Sequence, residues 1–350
     1  MKFRPDYTNL VDAARNKVPK RLPLYEHSIH AAIMEEISGE KFMHYFFLPV
    51  PDYEKFFVPY NRFFLDHGYD TVSFEAGVSE ILPHGGALSD HGKGYITDRE
   101  RFESYPFDEL LGRFCELHSK RLRALTNCMP DGMRAVGGVG NGVFEVVQDL
   151  VGYENLCIMS YEDPQLYADI FNAVGDAELK IWKWLLDNYG DTFCVCRFGD
   201  DLGYKSNTLL SHDDIRKHIL PQYKKIVDLV HSYGKPFLLH SCGCIFDVMD
   251  DLIGEVGIDA KHSNEDQIAP YRVWVERYGG KIGNFGGIDT DHLVRMDADS
   301  LRKKTEEVLA LFAEGHGGMA VGSGNSIPDY VDIGKYLLMV DTVRSFRGDY

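Results

Sequence analysis

The sequence predicts an α/β protein built as a single (β/α)8 TIM barrel with an N-terminal helical extension, one domain over residues 1–350. Three observations predict it. The C-terminal half alternates short apolar runs with longer amphipathic ones, at the rhythm of successive βα units. The apolar runs have the length of strands buried on both faces, as in a parallel sheet. Polar residues collect just after those runs, where a barrel of this kind gathers its active site. A length of 350 residues suits one closed barrel better than two doubly wound domains.

Residues 69–74 and 134–138 read as strands, and 163–189 as a long helix carrying Trp182 and Trp184. Residues 193–198 are a strand that runs into the loop 199–203. The helix after it spans 213–233. Ser211 is its N-cap, Asp213 and Asp214 suit its first turn, and Gly234 stops it. Ile219, Tyr223, Ile226, Val227 and Val230 give it one apolar face. Then follow the strand of Phe237, Leu238 and Leu239, a helix over 245–255, a strand over 258–260 and a helix near 268–278. A strand and loop over 283–289, a helix over 298–313 and a last strand over 319–322 complete the pattern. No linker, repeat or charge block divides the chain.

Apolar residues make up 44% and charged residues 26%, as in an ordinary globular protein. A net charge of −17 argues against nucleic acid or an anionic membrane surface as the main partner. No stretch approaches the ~18 apolar residues of a membrane span. Seven cysteines with no apolar signal segment ahead of them predict a reducing cytoplasm, with thiols free or on metal.

The most informative segment is 236–244, a short strand ending in His240, Cys242 and Cys244. Alternation sends the His240 and Cys242 side chains to the same side, at the mouth of the sheet. Imidazole and thiolate together favour zinc, and so few ligands leave the open position that a catalytic zinc needs. The plain alternative is three small buried side chains packed under a loop.

Other loops carry further candidates. Asp200 and Asp201, between Gly199 and Gly203, can ligate a metal, work as acid and base, or hold a cationic substrate group; a capped turn is the alternative. Glu80 and His84 lie in the glycine-rich stretch 77–86, where a carboxyl beside apolar residues suits proton transfer or merely decorates a turn. Glu75, just after a strand, rivals Glu80 for that role or for a metal position. The glycine runs 137–142 and 283–287 read as tight turns, since neither carries a full phosphate-binding fingerprint. Ser323 and Asn325, past the last strand, stand where they can contact substrate, but no Ser–His–Asp order makes Ser323 a nucleophile. Tyr161, Phe74 and Phe285 are aromatic residues able to stack on a substrate ring, although most such residues are core. Cys194 and Cys196 share a strand with Val195 and read as core.

These residues resemble the uroporphyrinogen decarboxylase superfamily, which includes corrinoid-dependent methyltransferases. The resemblance covers nearly the whole chain and is strongest from Asp201 to Pro328. It rests on His240-Ser241-Cys242-Gly243, on Gly286-Gly287-Ile288-Asp289-Thr290, and on Gly322-Ser323-Gly324 with Ile327-Pro328. Leu22-Pro23-Leu24-Tyr25-Glu26 and Ser79-Glu80-Ile81-Leu82-Pro83 are weaker echoes. True decarboxylases of the superfamily carry an Arg-Gln-Ala-Gly-Arg signature for a polyanionic tetrapyrrole. The matching stretch here, Tyr25-Glu26-His27-Ser28-Ile29-His30, contains no arginine. The decarboxylase aspartate falls at Glu80 and its histidine at Ser323, so porphyrin decarboxylation is not expected.

The methyltransferase branch is more similar. Its His-X-Cys pair and a distant Cys hold zinc, and His240 and Cys242 match that pair. The distant Cys falls at Ser323, so Cys244 or one of Glu75, Glu80, Glu145, Asp200 and Asp201 would complete the sphere. A carboxylate-richer site suits an oxygen- or nitrogen-linked methyl donor. The resemblance implies methyl transfer between a small, methoxylated substrate and cobalamin on a partner corrinoid protein, and a homodimer. The chain shows no cobalamin-binding motif of its own. Two other readings compete: a metal-free decarboxylase or lyase using Glu80 and Asp201 on a small carboxylated substrate, and a barrel that binds a ligand without turnover.

Overall fold

A computed structural model describes residues 3–349, and in it the strand rhythm of the sequence becomes one parallel sheet. Seven strands follow each other in sequence order: β1 (Thr71–Gly77), β2 (Arg134–Gly140), β3 (Phe193–Gly199), β4 (Phe237–His240), β5 (Ala260–His262), β6 (Gly283–Ile288) and β7 (Met319–Ser323). Every neighbouring pair is parallel, with helices between, which gives a TIM-barrel-like α/β fold. The strands from β3 onward are buried along their whole length, so they read as apolar runs without alternation.

The described residues form seven strands, one fewer than the eight expected. Residues 23–26 run beside β7 instead, with a single parallel bridge from Leu24 to Val321. The Val321 N–H donates to the Pro23 carbonyl and the Tyr25 N–H to the Val321 carbonyl, both at 2.9 Å. On the other side the Ser73 hydroxyl donates to the Glu26 carbonyl. Pro23 has no N–H with which to extend a ladder.

The helices Thr8–Ala14, Ala31–Ser38 and Tyr53–Asp66 precede β1. The first of them closes the sheet's N-terminal end: Leu10, Ala13 and Ala14 pack with Val136, Val195, Leu238, Ala260, Phe285 and Ala320. Gly283 and Gly318 permit this approach, since a Cβ on either would collide with the Ala13 carbonyl. The interior of the sheet is thus sealed below, and its polar residues lie above.

Helix expectations hold with instructive shifts. The helix after β3 runs from His212 to Ser232, N-capped by Ser211, whose hydroxyl accepts the Asp214 N–H at 3.1 Å. Its turn Ile215–Ile219 widens to a π-turn just before Pro221, which has no N–H to give. The long helix is Pro164–Tyr189, capped by Asp163. The helix expected near 268–278 starts only at Tyr271, after Pro270. The strand expected over 258–260 lies at Ala260–His262, a shift that proves consequential. No helix among the described residues is long and apolar enough to cross a membrane.

Candidate active site

The register sets the site. Gly199 pairs with His240, and His240 with His262, so the ends of β3, β4 and β5 come level. Alternation turns His240 and His262 to the face that carries Leu238 and Ala260 lower down. His27, just beyond the segment beside β7, stacks on His240 with ring centroids 3.8 Å apart.

Hydrogen-bond accounting fixes the protons of this group. His262 Nε2 lies 2.9 Å from the Ser323 carbonyl oxygen, which can only accept, so Nε2 carries the hydrogen. Burial holds His262 down to about 3, so the ring is neutral and its Nδ1 is bare. His240 Nδ1 is 2.7 Å away and must donate to it. Burial first, then His262, holds His240 neutral as well, which leaves its Nε2 with a lone pair. That lone pair faces Cys242 Sγ at 3.5 Å and Asp201 Oδ1 at 3.9 Å. A backbone carbonyl on β7 thereby presents a bare imidazole nitrogen at the mouth.

Asp201, His240 and Cys242 form one of two groups among the described residues whose ligand atoms lie within 4.8 Å of one another; His27, His240 and His262 form the other. In the second, His240 Nδ1 is already spent on His262. In the first, a nitrogen, a sulfur and a carboxylate oxygen converge. Zn–N of about 2.0–2.1 Å and Zn–S of about 2.3 Å at a tetrahedral angle put nitrogen and sulfur about 3.6 Å apart, close to the observed separation. The Cys242 N–H orients Asp201 through a 2.8 Å bond to Oδ1, and Asn325 Nδ2 donates to Cys242 Sγ at 3.3 Å. Burial first, then Asp201, holds the Cys242 thiol well above its ordinary range, so a thiolate there requires a cation.

The other expected residues fall elsewhere. Cys244 belongs to neither group; its N–H donates to the Tyr204 carbonyl. Asp200 does not face substrate: fully buried, it accepts the Phe144 and Glu145 N–H groups at 2.8 Å each and the Tyr223 hydroxyl, and so caps the helix Val143–Val151. Ser323, expected at the mouth, has its hydroxyl turned to Glu26 and the Asn325 carbonyl. Glu80 pairs with Arg121 at 2.7 Å, and Glu75 with Arg197 at 2.7 Å. Tyr161 is 90% exposed on the helix Tyr153–Glu162. Phe285 packs on Tyr25 inside the barrel floor, and Phe74 packs on Phe57. Cys194 and Cys196 are buried core, as expected.

Sequence reasoning missed His27, His262, Glu26 and Arg197. His262 was findable by continuing the strand at 258–260 for one more alternation. Arg197 was visible as a lone cation in the apolar run 193–198. It is buried and donates from Nε to Glu75 and from Nη1 to Tyr25 Oη at 2.6 Å.

Glu26 has a role of its own. The Ser323 hydroxyl has one proton and two neighbours, Glu26 and the accept-only Asn325 carbonyl. Ser323 presents both its hydroxyl and its N–H to the Glu26 carboxyl. Burial pushes the Glu26 carboxyl from 4.5 up to about 8, against the Ser323 bonds that pull it down. The folded chain therefore keeps the Glu26 proton over a window in which the unfolded chain releases it. Stability is fullest below the unfolded value and falls as pH rises through the folded one. Glu26→Gln preserves the bonds, and urea titrations at about pH 5 and about pH 8.5 should show a smaller loss of stability in the variant. An identical loss in both proteins would remove Glu26 from the linkage.

A likeness to one solved structure supports this fold. A methyltransferase from Methanosarcina mazei superposes with a TM-score of 0.76 at 15% identity, over 97% of this chain and 98% of that one. A protein assigned as a vitamin-B12-independent methionine synthase from Listeria monocytogenes gives 0.46 at 13% identity, over 94% and 98%. A D-psicose 3-epimerase from Clostridium cellulolyticum gives 0.36 at 11%, over 80% and 87%. No curated protein matches the sequence. The uroporphyrinogen decarboxylase (URO-D) family model matches residues 93–346, well over half of the chain, and the chain belongs to that family.

Proposed function

We propose that the chain is a zinc-dependent methyltransferase that moves a methyl group between a small substrate and a corrinoid carried by a partner protein. The observation that carries this reading is the His240 Nε2 lone pair held 3.5 Å from Cys242 Sγ and 3.9 Å from Asp201 Oδ1. Asp201, His240 and Cys242 would hold the zinc, and Asp201 replaces the distant cysteine missing at Ser323. Bound there, the ion supplies Lewis acidity at an open position.

The chain's own residues do the rest. His262 and the Ser323 carbonyl keep His240 in the ligating tautomer. Asn325 Nδ2 and Ser263 Oγ, at 3.3 and 3.7 Å, direct hydrogens at the Cys242 sulfur and stabilise it as a thiolate. Arg197, paired with Glu75, keeps a fixed positive charge beneath the histidines and disfavours their protonation. The same reading takes residues 1–350 as one barrel domain with 23–26 in the eighth strand position, a cytoplasmic protein and a homodimer.

Purified without chelator, the protein should contain about one zinc per chain. Mixed with a cob(I)alamin-loaded corrinoid protein and methoxylated donors, it should speed the change from the cob(I)alamin to the methylcobalamin spectrum. Absence of metal, together with no uptake of added zinc, would defeat the reading.

A further inference from the structure

Of the three clustered histidines only His27 is half-buried, and its ring makes no hydrogen bond among the described residues. The backbone on both sides holds it in place. The Ile327 N–H donates to the Ser28 carbonyl at 2.9 Å, the His30 N–H to the Ile327 carbonyl at 2.8 Å, and the Ser73 hydroxyl to the Glu26 carbonyl. Stacking on His240, with the ring planes 19° from parallel, fixes the ring itself. A Cβ added to Gly199 would stand 3.9 Å from His27 Nε2 and 3.5 Å from His240 Cδ2. Cδ2 is bonded to the His240 nitrogen that faces Cys242, so His27 Nε2 lies on the same side of the stack. Gly199 has no side chain to fill the space there.

Burial fixes the tautomer. His27 Nδ1 is enclosed without a partner, so a hydrogen on it would find no acceptor. Buried N–H groups are rarely left in that state, whereas unpaired acceptors are better tolerated. The hydrogen therefore sits on Nε2, which is not enclosed. A second donor is independent of the first. Arg197 gives Nε to Glu75 and Nη1 to the Tyr25 hydroxyl, but Nη2 has no partner among the described residues. That nitrogen is not enclosed either, although the side chain is only 2% exposed. Tyr25 and His27 share one side of their extended segment, as Arg197 and Gly199 share one side of β3. The guanidinium thus lies one step deeper in the same interior. The carboxylates Glu75 and Asp201 are engaged by Arg197 and by the Cys242 N–H.

We propose that His27 contacts the substrate, its Nε2–H donating to an oxygen of the bound molecule, and that the site takes an oxygen-linked methyl donor in preference to a methylammonium. This role rests on the methyl-transfer reading, which leaves both classes of donor open, and decides between them. An ether oxygen accepts from Nε2, whereas an ammonium sets positive charge against a donor. Arg197 adds a fixed positive charge that opposes a cation and favours an electron-rich oxygen. His27 is not a metal ligand in this arrangement, since it stands outside the group of Asp201, His240 and Cys242.

Calorimetric titration of the zinc-supplemented full chain with 2-methoxyphenol, 2-methoxyethanol and trimethylammonium tests this. At least one ether should bind about tenfold tighter than the ammonium, equivalent to about 1.4 kcal/mol. His27→Phe keeps the stack on His240 and removes the donor, and it should weaken ether binding about tenfold. His27→Gln places an amide N–H near the Nε2 position and should hold ether binding within about threefold of wild type. Bound zinc should be unchanged in both variants. A purely structural stack predicts the reverse, with binding kept by Phe and lost by Gln. That result, equal loss in the two variants, unchanged binding in His27→Phe, binding of neither ether, or an ammonium bound as tightly would overturn the proposal. The expected pattern in a protein without methyl-transfer activity would count against the proposed function alone. Methyl transfer that is equally fast in wild type and His27→Phe would count against the role of His27 alone.

Discussion

Cys242→Ala should lower bound zinc from about one per chain to near none and cut methyl transfer by on the order of 10³-fold, about 4 kcal/mol. The parallel variant Cys244→Ala should keep both within about twofold, because Cys244 belongs to neither ligand group. The pair matters more than either variant alone. Both cysteines lie on the same short segment, and the sequence offers both as ligands. Only geometry separates them: Cys242 Sγ sits 3.5 Å from the bare nitrogen of His240, whereas Cys244 directs its N–H back to the Tyr204 carbonyl. Elemental analysis of the two variants beside wild type decides the matter. Metal lost from Cys244→Ala and retained in Cys242→Ala would reverse the ligand assignment.

Arg197→Met should destabilise the fold by about 3–5 kcal/mol, the cost of breaking a buried ion pair by removing one partner. The Arg197 side chain is 2% exposed and that of Glu75 19%, so solvent screens the pair little. The variant leaves the Glu75 carboxylate without its cation and the Tyr25 hydroxyl without its donor. Arg197→Met combined with Glu75→Gln should recover much of the loss, since no uncompensated charge then remains. Urea midpoints of the single and double variants provide the measurement. A single variant within about 1 kcal/mol of wild type would show that the pair is not coupled to folding.

The strand order from β1 to β7 and the position of His240 and Cys242 at a strand end were legible because both depend on local spacing. Parallel strands must be apolar on both faces, and side chains two apart must share a side. The site's partners were less legible, each for a definite reason. Asp200 and Asp201 are adjacent acids with identical local cues. One is buried under three donors and the other faces His240 and Cys242, which depends on where the helix Val143–Val151 docks. Ser323 occupies the position that the resemblance assigns to a ligand, yet its hydroxyl serves Glu26, 297 positions earlier in the chain. Tyr161 looked available for stacking, and it is exposed because its helix turns that face outward.

By itself the sequence determined a parallel α/β fold and the placing of His240 and Cys242 on one side of a strand end, which follow from residue type and short-range periodicity, and its motifs carried the resemblance to the family. Tertiary structure alone decided the tautomer of His240, which of Asp200, Asp201 and Cys244 comes near His240 and Cys242, and the gathering of His27 and His262 around the same point. Those outcomes depend on which backbone carbonyl faces which ring and on which acid is denied water. Such relations join residues tens to hundreds of positions apart, and no local pattern encodes them.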